Sequence, residues 1–198
     1  MICVLTAEEE FLECSDVGYQ ALFSLLPEEN HDKLCLDFGC GDGEITKYLK
    51  FKEVAGLDLF RDTLLEAHKL GYQVVLGDMH HLPFRECCFD YLVARHVLEH
   101  SIALVKVIWE LHVILKNDGF LCCEVPETND GLENGSNREH HYYLMPSQWR
   151  RYLENNGFEV VEEKVNVHGG VCFLAVKSKK FKLVKKGKVT LVEREVTH

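Results

Sequence analysis

At 198 residues, with 46% hydrophobic and 27% charged side chains, the chain has the size and balance of one ordinary domain that can bury most of the surface its unfolded form exposes. No apolar run approaches the ~20 residues of a spanning helix, so no membrane span is expected. The net charge of −10 argues against wholesale nucleic-acid binding, which draws on Lys and Arg contacts to phosphate.

The first stretch, Met1 to Glu10, lacks a basic segment followed by a long apolar core, and nothing in it marks export. From Thr6 to Leu26, apolar residues recur at helical spacing (Phe11, Leu12, Tyr19, Leu22, Phe23, Leu26) until Pro27, which predicts one or two helices. Residues 1–32 thus form an N-terminal helical segment. It either covers a sheet edge or acts as a lid, with Phe11 and Tyr19 capping a substrate.

A strand over 33–38 then runs into Gly39-Cys40-Gly41-Asp42-Gly43. Glycine takes positive φ without penalty and admits a ligand close to the backbone, so three glycines at alternate positions after a strand describe a cradle. A helix is predicted over Glu44–Lys50. The second strand, 53–57, ends in Asp58, 21 residues after Asp37, near the ~20-residue offset of a carboxylate that grips ribose hydroxyls in a βαβ unit. After a helix over Arg61–Leu70, a third strand, 73–76, ends in Gly77-Asp78-Met79. Three successive strands therefore end in Asp. His80 and His81 read as surface loop residues.

A fourth strand, 89–94, leads into Arg95-His96-Val97-Leu98-Glu99-His100 and a helix over Leu98–Leu115; a fifth strand follows over 119–125. Glu127 to Arg138 is polar and without periodicity, which predicts a binding loop. A helix over Ser147–Asn156 precedes strands at 158–165 and 170–177, joined by Asn166-Val167-His168-Gly169-Gly170 and expected to pair antiparallel. The tail, 178–198, reads as a hairpin with a glycine turn. Residues 177–198 hold eight basic residues against two acidic ones, a net +6, which leaves −16 on the preceding 176. The tail is a lysine-solubilised edge ribbon, a dimer contact, or a grip on an anionic substrate.

Nine cysteines with no Cys-x-x-Cys spacing argue against a disulfide framework or a structural zinc site and point to a cytoplasmic protein. His96, Glu99 and His100 stand at i, i+3 and i+4, so a helix beginning there would project them on one side. With His140 they offer nitrogen and oxygen ligands to a divalent metal. The same residues suit two other roles: a structural Glu99–His100 pair, or base catalysis by His100 or His140.

Asp37-Phe38-Gly39-Cys40-Gly41-Asp42-Gly43, Gly56-Leu57-Asp58, Gly77-Asp78-Met79-His80-His81-Leu82-Pro83-Phe84, Phe89-Asp90-Tyr91-Leu92-Val93-Ala94 and Leu111-His112-Val113-Ile114-Leu115-Lys116-Asn117-Asp118-Gly119 occur in this order. The series resembles the class I S-adenosylmethionine-dependent methyltransferases, particularly the branch acting on small molecules, lipids, sugars and some RNAs, from about Leu34 to Val176. The resemblance implies an α/β fold: a Rossmann-like doubly wound sheet of about seven strands, mostly parallel with an antiparallel final strand, here with a C-terminal hairpin. It places the cofactor-binding core at 33–177 within a single domain, 1–198. It also implies that Asp37, Gly39, Cys40 and Gly41 face the methionine half of S-adenosylmethionine, and that Asp58 and Leu59 take the ribose and adenine. Asp78 and Met79 then meet the adenine edge, and Arg95 lies under the reactive end, with S-adenosylhomocysteine as product. The acidic first turn (Asp37, Asp42, Glu44) would repel a pyrophosphate, which a sulfonium nucleoside lacks. The expected acceptor is a small or lipid-like molecule, with RNA held by the tail as the competing reading and an inactive cofactor-binding subunit as a third. A monomer or homodimer is expected.

Overall fold

The computed structural model describes residues 19–27, 30–126, 140–179, 181–186 and 189–194. Its strands are β1 (Asn30–Phe38), β2 (Phe51–Asp58), β3 (Gln73–Leu76), β4 (Phe89–Arg95), β5 (Leu115–Val125), β6 (Phe158–Val165) and β7 (Val171–Lys177). They form one seven-stranded sheet in the order β3-β2-β1-β4-β5-β7-β6. The pairs among β1 to β5 are parallel, and β7 runs antiparallel to both β5 and β6. The helices are α1 (Gln20–Phe23), α2 (Arg61–Lys69), α3 (Leu104–Ile114) and α4 (Pro146–Asn155). Strands β8 (Phe181–Lys186) and β9 (Val189–Arg194) pair antiparallel as a separate two-stranded sheet. This is the expected α/β architecture with its hairpin extension.

Strand periodicity divides the core. Leu36, Phe38, Leu92, Ala94, Leu121, Cys123 and Phe173 face the apolar stripe of α3 (Leu104, Val107, Ile108, Leu111) together with Trp149 and Leu153 of α4. The alternating residues Cys35, Tyr91, Val93, Cys122 and Cys172 pack with Tyr19, Leu22 and Phe23 around α1. Both faces of the central strands are buried, which is why these strands read as nearly continuous apolar runs. The cysteines among them act as small hydrophobes.

Strand order reverses between β1 and β4, and at such a switch point the carboxyl ends of the strands leave a crevice. Asp37, Asp58, Arg95 and Glu124 all stand at or beside those ends.

Four segments differ from the sequence expectation. β1 begins at Asn30, inside the 1–32 stretch expected to be helical. Where Glu44–Lys50 was expected as a helix, only a 3-10 turn forms at Thr46–Tyr48. The preceding Gly43 has φ +86°, and a Cβ there would meet Tyr72 at 2.9 Å. The helix expected over Leu98–Leu115 is broken. A 3-10 turn, Leu98–His100, is followed by extended Ser101, whose hydroxyl accepts the Ala103 amide at 3.0 Å before α3 begins. The fifth strand starts earlier, because Leu115 pairs with Phe89 and the ladder resumes at Phe120 after Asp118 at φ +61°. The Glu127–Arg138 loop, Phe11 and most of the N-terminal helical segment lie outside the described residues, as does the hairpin turn at Gly187.

Candidate cofactor and acceptor site

The turn after β1 is built as the sequence predicts: Gly39, Gly41 and Gly43 have φ of +77°, +54° and +86°. The amides of Gly39 and Cys40 donate to the Leu57 carbonyl at 2.8 and 3.1 Å, which holds the turn against the end of β2. Gly56 permits this approach, since a Cβ there would sit 2.6 Å from Cys40 Sγ. A Cβ on Gly41 would instead meet nothing within 4 Å, so the cradle is open on that side. Burial, with Asp37 and Asp58 nearby, pushes the Cys40 thiol up to about 12; it remains a protonated packing group.

Asp37 is buried at the base of this turn. Thr46 donates its hydroxyl to Asp37 Oδ2 at 2.6 Å, while Oδ1 has no hydrogen-bond partner among the described residues. Burial raises the Asp37 carboxyl to about 7, with the Asp58 charge adding to the rise and the Thr46 hydrogen bond opposing it. A buried carboxylate oxygen without a donor is costly, and an incoming ammonium group would relieve it.

Asp58 accepts the Gly41 amide on Oδ2 and the Phe60 amide on Oδ1, both at 2.9 Å. Each oxygen retains a second lone pair, so the carboxylate can accept two further hydrogen bonds. Leu59 and Phe60 beside it are 60% and 66% exposed, an apolar surface at the point where a purine is expected. Asp78 is exposed; its Oδ1 accepts the His80 amide at 2.8 Å and pairs with His80 Nδ1 at 2.7 Å, and these contacts with His80 lower its pKa. Met79 packs against the core below. His80 is not a free surface residue: its Nε2 lies 3.2 Å from the buried Ser101 hydroxyl, tying the post-β3 loop to the break before α3. His81 is exposed, with Nε2 2.9 Å from Lys106 Nζ.

Two wholly buried carboxylates, Glu99 and Glu124, stand beyond β4 and near the end of β5. Arg95 Nε donates to Glu124 Oε2 at 3.1 Å, and its guanidinium lies over the Tyr19 ring at 4.4 Å. Asn166 Nδ2 donates to Glu124 Oε1. His96 has φ +47° and stands between the acids, Nδ1 3.3 Å from Glu99 Oε1 and Nε2 3.4 Å from Glu124 Oε1. Burial pulls the His96 pKa down, but the hydrogen bonds and charges of Glu124 and Glu99 outweigh it and hold the imidazole at about 9.

Glu99, His100 and His140 meet as the sequence suggested, but not on one helix face: His96 closes the β4 end in a left-handed conformation, and Glu99 and His100 lie on the 3-10 turn. The His141 and Tyr142 amides both donate to the Glu99 carbonyl, at 2.8 and 3.2 Å, which brings His140 alongside. His140 Nε2 is 4.0 Å from Glu99 Oε1, and the His100 and His140 rings make an edge contact with centroids 4.6 Å apart.

Sequence reasoning missed Thr46 and Glu124. Glu124 carried a signal, as a lone charge within the apolar run Phe120-Leu121-Cys122-Cys123-Glu124-Val125. Thr46 carried none, because its role depends on the turn failing to become a helix.

Residues 36–123 match the family model described as a methyltransferase domain. An uncharacterized protein of Methanocaldococcus jannaschii is 30% identical over 134 residues, 68% of this chain and 58% of that protein. The human mitochondrial arginine-hydroxylase NDUFAF5 is 37% identical over 92 residues, 43% of this chain and 26% of that protein. The chain thus spans little more than half, or a quarter, of these relatives. In the complex between the Haloferax volcanii Trm112 methyltransferase activator and a methyltransferase, a chain superimposes with TM-score 0.74 at 15% identity. The match covers 85% of this chain and 93% of that one, and at that identity it speaks for the fold alone.

Proposed function

The chain belongs to the class I S-adenosylmethionine-dependent methyltransferases, and on that premise we propose that it transfers the methyl group of S-adenosylmethionine to a small-molecule or lipid-like acceptor. The observation that carries the cofactor reading is the orphaned Asp37 Oδ1 beneath an open glycine turn. An ammonium group suits that oxygen, whereas a pyrophosphate does not. Asp37 and the Gly39–Gly41 turn would hold the amino-acid end. Asp58 would take the ribose diol with Leu59 against the purine, Asp78 and Met79 would meet the purine edge, and Arg95 would lie under the reactive end.

When bound, the cofactor supplies an electrophilic methyl carbon on a sulfonium, and the chain's part is positioning. The acceptor would supply the lone pair that takes up the methyl group, and its proton would pass to an imidazole of the site or to water. Arg95, held by Glu124 and Tyr19 at the carboxyl end of β4, would stand beside the crevice. Glu99, His100 and His140 would address the acceptor, either by accepting its proton or through a bound ion.

The seven described cysteines are free, which supports a reducing, cytoplasmic setting. No described helix is long and apolar enough to cross a membrane. A second reading is an RNA acceptor held by the basic tail, favoured by that tail forming its own hairpin apart from the main sheet. That a structural neighbour is solved with an activator protein also motivates testing for a partner subunit. Mass spectrometry of metabolite extracts and RNA incubated with the protein and methyl-deuterated cofactor tests the proposal. A labelled small molecule supports it, labelled RNA favours the second reading, and no labelled product with or without a partner contradicts both.

A further inference from the structure

The acceptor-side cluster holds a chemistry that cofactor binding does not use. Glu99, His100 and His140 each bring one ligand atom within 4.8 Å of the others. The chain enforces this meeting: Glu99 and His100 are consecutive on one 3-10 turn, and the amides after His140 are bonded to the Glu99 carbonyl. Glu99 is wholly buried, and its Oε1 faces His96 Nδ1 at 3.3 Å. Its other oxygen, Oε2, is buried with no hydrogen-bond partner among the described residues. A buried carboxylate with one unsatisfied oxygen, set within 4.8 Å of two imidazole nitrogens, is a place where a cation relieves a desolvation cost.

We propose that Glu99, His100 and His140 bind a divalent metal ion of the zinc type on the acceptor side of the crevice, and that a hydroxyl of the acceptor completes its coordination. Two imidazoles and one carboxylate form a donor set of catalytic zinc centres, in which three protein ligands leave a position open. Bonds of about 2.0–2.2 Å in a tetrahedron require ligand atoms roughly 3.3–3.6 Å apart, so the widest separation closes by about an ångström on binding. His100 lies on a short turn and His140 on an irregular segment, both outside the sheet ladder, where side-chain rotation would supply that movement. His96 is a positioning residue here: its Nδ1, 3.3 Å from Glu99 Oε1, holds the carboxylate beside His140, whose Nε2 lies 4.0 Å from the same oxygen. The ion would make the acceptor's hydroxyl more acidic, so that its proton would pass to water rather than to a ligating imidazole. The acceptor's part in this inference rests on the methyl-transfer reading; the ion's binding does not.

The test uses the full chain stripped by chelator and titrated with cobalt(II), then zinc(II), followed by visible absorption and elemental analysis. One cobalt ion per chain is expected, with the bands of a four- or five-coordinate site that zinc displaces. His100→Ala and His140→Ala should each weaken binding by at least about tenfold, while His31→Ala, on an exposed residue, should leave it unchanged. Glu99→Gln should also weaken it, with circular dichroism confirming that this buried variant folds. Absent stoichiometric binding, or binding that survives both His100→Ala and His140→Ala, overturns the site. S-adenosylhomocysteine binding is measured on the same samples. If it persists where cobalt fails, only the metal site is overturned. If it fails where cobalt binds, the methyl-transfer reading falls and the metal site stands.

Discussion

Thr46 donates its hydroxyl to one oxygen of Asp37 at 2.6 Å and leaves the other, Oδ1, buried without a partner among the described residues. That half-satisfied carboxylate has a cost when the crevice is empty. Its pKa is raised from 3.8 to about 7, chiefly by burial. In the unfolded chain Asp37 ionises near 3.8 and in the fold only near 7, so the fold binds the extra proton and loses stability as pH rises between those values. A bound ammonium group needs the ionised form. Cofactor affinity should therefore rise as pH is raised through about 7, and Asp37→Asn should stabilise the empty protein above pH 7 while weakening cofactor binding. Calorimetry with S-adenosylhomocysteine at pH 6 and 8, with thermal melts of both proteins, checks this. A pH-independent affinity in the parent would contradict it.

Asp58 receives two backbone amides and is expected to bind the ribose diol. Asp58→Ala should weaken cofactor binding by roughly 1.5–3 kcal/mol, about 10- to 150-fold, and should lower the melting temperature of the empty protein by freeing the Gly41 and Phe60 amides. Unchanged affinity in calorimetry would remove Asp58 from the site.

Much of this crevice was legible in the sequence because its parts are local. A strand ending in Gly-x-Gly-x-Gly needs no tertiary information to be read as a cradle, and the Asp at each following strand end falls at a fixed offset. The residues that escaped are those whose role is set by long-range packing. Glu124 acquires Arg95, His96 and Asn166 only when β4, β5 and the turn after β6 come together. Thr46 is placed by a turn that tertiary contacts stop from becoming the helix its neighbours favour. The break at Ser101, likewise, depends on a cap and on a partner, His80, from another loop. His96 looked like one member of a helical face, but its left-handed backbone sets it between two acids instead.

Glu124 is wholly buried and holds Arg95 and Asn166, with His96 3.4 Å away. Removing one member of a buried charged network leaves the others uncompensated, so Glu124→Ala should destabilise the fold by roughly 3–5 kcal/mol. Glu124→Gln, which keeps the acceptor for Arg95, should cost less. Urea unfolding measures both, and a loss below about 1 kcal/mol in Glu124→Ala would contradict the network's role.

His112 on α3 is wholly buried, and neither ring nitrogen has a hydrogen-bond partner among the described residues. It packs on Gly157, Phe158 and Phe181. Burial, with the Lys177 charge adding to it and the Gly157 backbone opposing, lowers its pKa from 6.5 to about 4. The unfolded chain takes up this proton near 6.5 and the fold resists it until about 4, so its contribution is intact above 6.5 and is lost as pH falls across that window. The loss amounts to about 2–3 kcal/mol. His112→Leu should flatten the fall in stability between pH 6.5 and 4, as measured by chemical unfolding at a series of pH values. Parallel curves for variant and parent would contradict the assignment.

The central claim is that the crevice at the β1–β4 switch point holds a sulfonium nucleoside by its amino-acid end and its sugar. Isothermal titration of the full chain with S-adenosylhomocysteine at pH 8 tests it most directly. The account predicts one saturable site per chain, matched by a rise in melting temperature and weakened in Asp37→Asn and Asp58→Ala. No heat of binding and no thermal protection at saturating ligand would contradict it.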